Sequence, residues 1–74
     1  MPPFKPFPFR EVKRKLESLG FSIISQKGSH IKFIKYLPEG TITAIVPRHK
    51  EITPGLVKSI IKQAMIDYDT FDNA

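Results

Sequence analysis

Two histidines, His30 and His49, are the side chains here best able to accept and donate a proton near neutral pH. Each stands at the end of a strand-like run beside basic residues. His30 closes the string Lys27-Gly28-Ser29-His30, with Lys32 two positions further on; His49 follows Pro47-Arg48. A Gly28-Ser29 turn leaves backbone amides free for a phosphate, and Lys27 and Lys32 supply positive charge. On spacing alone, an exposed histidine at a strand start needs no task, and Gly-Ser-His is a short and common string. The chain has no cysteine, which removes thiol catalysis, disulfides and thiolate zinc sites. With two histidines and carboxylates concentrated near the end, neither a catalytic metal nor a cofactor is expected.

The elements that must position these residues are legible as changes of period. Phe9, Val12, Leu16 and Leu19 recur at helical spacing, with Arg10, Lys13, Arg14 and Glu17 opposite. Pro8 suits the first turn, Glu11 stands four residues before Lys15, and Gly20 suits the position past the C-cap, so a helix is predicted over residues 8–19. Three strand-like runs follow, at 21–27, 30–36 and 41–46, separated by Gly28-Ser29 and Leu37-Pro38-Glu39-Gly40 and ended by Pro47. Short connections make them an antiparallel meander. Thr53-Pro54 opens a second helix whose stripe is Leu56, Val57, Ile60, Ile61 and Ala64. The expectation is therefore an α+β domain in the order α-β-β-β-α, both helices on one sheet face and the other face open. If Ile31 and Phe33 point to the helices, then His30, Lys32 and Ile34 point away.

Before this body lies an arm, residues 1–8, with four prolines interleaved with Phe4 and Phe7; it should be extended, its rings covering a gap in the core. After it comes an acidic tail, 67–74, which could add one helical turn pinned by Tyr68 or Phe71. A 74-residue chain buries only ~60% of its unfolded surface, so extra support from a homodimer or a bound partner is expected. The whole is read as a single domain. Charge narrows the partner: residues 1–66 carry all twelve bases and four of the seven acids, a net +8, which suits a polyanion. No apolar run approaches the ~18–20 residues of a membrane span, nor does the start resemble a signal peptide. A cytoplasmic protein without membrane association is expected.

Gly20-Phe21, Lys27-Gly28-Ser29-His30-Ile31-Lys32-Phe33, Val46-Pro47-Arg48-His49, Pro54-Gly55-Leu56 and Ile60 with Gln63-Ala64 together resemble the HicA (YcfA-like) toxin family. The likeness runs from about Arg10 to Asp67. It implies a double-stranded-RNA-binding-domain-like fold, and a toxin that cleaves mRNA and is held inactive by a HicB-type antitoxin. The family's functional histidine, in its Gly-Ser-His motif, maps onto His30. The Pro-Arg-His that carries His49 is a less secure catalytic match.

RNA cleaves when its 2′-hydroxyl attacks the adjacent phosphorus, which requires a base, an acid and charge stabilisation but no obligatory metal. His30 is the expected proton-transfer group; Lys27, Lys32 or Arg48 stabilises charge on phosphate, and His49 is a candidate for the second transfer. Arg10, Lys13 and Arg14 are either a solvated helix face or further RNA contacts. Only Lys58 stands near the start of the second helix, where duplex-RNA binders carry a lysine cluster, which favours a single-stranded substrate. The competing reading is a non-catalytic RNA-binding module on the same fold. Both readings predict RNA affinity that falls steeply with added salt, whatever the RNA sequence; a filter-binding series from low to high salt checks this, and a flat response contradicts it.

Overall fold

The computed structural model describes residues 4–74. Pro8 sets the extended entry to the first helix at φ −62°, and the chain turns helical at once, without a side-chain cap. The elements are β1 (Phe7–Pro8), α1 (Phe9–Ser18), β2 (Ser22–Lys27), β3 (His30–Leu37), β4 (Gly40–Pro47), β5 (Glu51–Ile52), α2 (Pro54–Ala64) and α3 (Tyr68–Asp72). α1 ends because Gly20 adopts φ +99°. There the Phe21 amide donates to Leu16 O at 2.9 Å and the Gly20 amide to Glu17 O at 3.1 Å, the paired bonds of a Schellman stop. α2 starts on Thr53, whose hydroxyl accepts the Leu56 amide, and ends in the same way with Met65 at φ 60°.

Strands β2, β3 and β4 form an antiparallel sheet in that order. Ile31 pairs with Val46 and Phe33 with Ala44. All four are buried in one cluster with Val12 and Leu16 of α1 and Val57, Ile60 and Ile61 of α2. Both helices therefore cover one face, and the order α-β-β-β-α is the double-stranded-RNA-binding-domain-like arrangement expected.

The remaining elements close the core at one end. Phe7 pairs with Ile52 across a two-residue ladder between β1 and β5. The Phe7 ring meets Phe71 edge-to-face at 5.3 Å, and Phe4 meets Tyr68 in the same way at 5.0 Å. Between the rings lies Lys15, only 5% exposed. Its ammonium donates to the carbonyls of Asp72 at 2.7 Å and Ala74 at 3.3 Å and sits 5.5 Å and 5.8 Å from the Phe7 and Phe71 ring centres. A buried ammonium is tolerated because it is so bonded. This corrects the expectation that Lys15 answers Glu11: Glu11 instead pairs with Arg14 at 2.9 Å, and Lys15 turns inward. The Arg14 guanidinium holds the Glu11 carboxyl below its ordinary value.

Asp67 caps α3 by accepting the Thr70 amide at 2.7 Å, and that bond lowers its carboxyl from the ordinary value. Because the folded value is the lower one, the cap contributes stability above the unfolded value and loses it as pH falls through the folded one.

Phe71 is fully buried, so truncation removes a ring shared by the arm, α1 and the tail. Phe71→Ala is expected to lower the unfolding free energy by about 3–5 kcal/mol, read from urea melts. A loss below about 1 kcal/mol would mean that the tail does not belong to the core.

Candidate active site

β3 is the central strand, so the pleat that buries Ile31 and Phe33 turns His30 and Lys32 to the open face. Lys27 pairs with His30 across the Gly28-Ser29 turn, and cross-strand partners share a face, so Lys27 projects beside the imidazole. Gly28 holds φ +61°, a conformation that glycine adopts without a Cβ penalty. On the other side His30 pairs with Pro47, and the Arg48 amide donates to the Ser29 carbonyl, carrying the pairing one step past the strand ends. The His49 amide then donates back to Pro47 O at 2.9 Å, bending the chain away. Gly28-Ser29-His30 and Pro47-Arg48-His49, 17 positions or more apart in sequence, thus lie side by side at one end of the sheet.

The side chains of Lys27, His30, Lys32, Arg48 and His49 are all exposed. Gly28 O accepts Gln26 Nε2 at 3.3 Å and Ser29 O accepts the Arg48 amide, whereas the Gly28 and Ser29 amides donate to no protein acceptor among the described residues. The turn thus leaves two amides without a protein acceptor beside the Lys27 side chain and the exposed imidazole. No Asp or Glu occupies β2, β3 or β4, so no carboxylate on these strands opposes an anion. Among the described residues no three His, Asp or Glu side chains are grouped to hold a metal ion.

The helix basics divide. Lys13 pairs with Glu17 at 3.1 Å and Arg14 with Glu11; both lie on the helix that covers the opposite face of the sheet, and the structure does not join them to His30. Arg10 lies elsewhere on the same helix. The Phe9 amide donates to Lys50 O at 3.4 Å, and Arg10 shares an open cleft with Pro8, Lys50 and Glu51. It therefore belongs with the loop that carries Arg48 and His49. Lys50 was missed by a motif that stops at Pro-Arg-His; the unbroken basic run Arg48-His49-Lys50 was the signal for it.

β2 and β4 are the sheet edges. On β4 the Ile45 amide donates to the Gln63 side-chain oxygen at 3.1 Å, so α2 caps part of that edge.

Among the described residues no helix is long and apolar enough to cross a membrane. Comparison with families finds one model, described as HicA toxin of bacterial toxin-antitoxin, matching residues 9–66. The matched span begins with α1 and ends two residues past α2, leaving the arm and the tail outside it. Comparison with curated proteins finds no match.

Proposed function

The chain belongs to the HicA toxin family of bacterial toxin–antitoxin systems, and from that premise we propose that it is a metal-independent endoribonuclease, acting on mRNA in the cytoplasm as a single domain, with His30 in proton transfer. The observation that supports this reading is the convergence at one end of the open face: an exposed His30 between Lys27 and Lys32, next to the Arg48-His49 strand end and the free amides of the Gly28-Ser29 turn.

The chemistry is transesterification. The 2′-hydroxyl oxygen attacks the adjacent phosphorus, the bond from phosphorus to the 5′-oxygen breaks, and the products are a 2′,3′-cyclic phosphate and a 5′-hydroxyl. A base takes the 2′ proton and an acid gives one to the leaving oxygen. His30 performs one of these transfers, since one imidazole cannot do both at once, and His49 is the candidate for the other. Lys27, Lys32 and Arg48, with the Gly28 and Ser29 amides, stabilise the charge that grows on the phosphoryl oxygens. Arg10 extends the positive surface along the loop; Lys13 and Arg14, paired with carboxylates, contribute only at longer range.

The antitoxin partner that the family implies is of HicB type and inhibits by covering this open, carboxylate-free face. The residues assigned to the site all belong to one chain, so a homodimer is not needed for it.

The decisive variant is His30→Ala, checked for native circular dichroism and assayed on single-stranded RNA in excess chelator. Loss of at least about a hundredfold in cleavage rate is expected. A variant as fast as wild type removes His30 from the mechanism. Wild-type binding without any cleavage points instead to a non-catalytic RNA-binding module.

A further inference from the structure

Past His30 and Lys32, the open face of β3 continues to residues that the reaction does not use. Alternation carries His30, Lys32, Ile34 and Tyr36 along it in that order. Ile34 is 8% exposed although it stands outside the helix-facing core. Its opposite neighbours are Ser22 and Thr43, and Ile45 lies diagonally across. Past this small apolar floor stands Tyr36, 68% exposed. Among the described residues no aromatic pairing holds it, whereas Tyr68, the other tyrosine, is engaged with Phe4. From His30 to Tyr36 the strand advances about 20 Å.

We infer that Tyr36 is a base-stacking platform, and that the strip from His30 to Tyr36 binds the single-stranded RNA flanking the cleaved bond. Three features select this occupant. The strip carries Lys32, is flanked by Lys27 and has no Asp or Glu, so a polyanion is the complementary partner. An exposed ring on a positively charged sheet is the arrangement on which unpaired bases stack, because every base offers a π-face. An open sheet face is also closed to the bases of a duplex, whereas a single strand can lay its bases on it. Tyr36 thus sets affinity for longer RNA and makes no contact with the reacting phosphate, an assignment that rests on the ribonuclease reading.

The test uses a 2′-O-methyl oligouridylate, which binds without being cleaved. In Tyr68→Phe the sole fluorophore among the aromatics of its kind is Tyr36, and RNA is expected to quench its emission. Tyr36→Ala is expected to weaken binding about tenfold or more, with Tyr36→Phe restoring it, since the ring and not the hydroxyl stacks. Cleavage of a dinucleotide should be equal in Tyr36→Ala and wild type, while kcat/KM on a longer oligonucleotide falls. Wild-type RNA binding that is indifferent to Tyr36→Ala overturns this inference alone. So does a Tyr36→Ala variant that loses only affinity for an acidic protein partner, which makes the strip a protein interface. Ring-dependent binding without cleavage supports the platform and overturns the nuclease reading instead.

Discussion

Phe33 and Ile31 lie buried beneath two helices while His30, Lys32 and Tyr36 project from the other face of the same strand. The two sets cannot be separated, because a strand alternates its side chains and a slip of one residue would exchange them. Burial of Phe33 is therefore what aims the imidazole. Both flanking pairings repeat the constraint: Lys27 is fixed beside His30 by β2, and Pro47 by β4. The proposed chemistry depends on a core residue three positions from the histidine as much as on the histidine itself.

A second constraint is size. A cysteine-free domain of this length has little core to spare, and its own flanking segments add to that core. The arm and tail bring Phe4, Phe7, Tyr68 and Phe71 together at one end, Lys15 ties the tail carbonyls to α1, and a Lys5–Asp72 pair at 3.4 Å bridges arm to tail at the surface. Apart from Lys15 and α1, all of this lies outside the family-matched span. The matched body carries the candidate site, and the flanking segments close the core at one end.

The order of the major elements was legible because each announces itself by period and punctuation: helical stripes capped at Gly20 and Thr53, and alternating strands broken at Gly28 and Gly40. The open face followed from Ile31 and Phe33. What escaped were contacts between segments distant in sequence. The β1–β5 ladder is two residues long and has no local signature. Lys15 reads as a solvated base, although it stands three residues after Val12 and beside Leu16, on the buried face. Its partners are backbone carbonyls nearly sixty residues on, which no side-chain pattern marks. In the site, the histidine and the turn were legible, but the apposition of Ser29 and Arg48 required the fold, as did the separation of Arg10 from Lys13 and Arg14.

The end of this sheet is proposed to cleave RNA through the substrate's own 2′-hydroxyl. The chemical ends of the fragments test it most directly, because they record which oxygen attacked phosphorus. Mass spectrometry of a cleaved oligoribonucleotide should find 2′,3′-cyclic phosphate, or the 3′-phosphate formed on its opening, facing a 5′-hydroxyl. Fragments ending in 3′-hydroxyl and 5′-phosphate would show that water attacked instead, and would contradict the account.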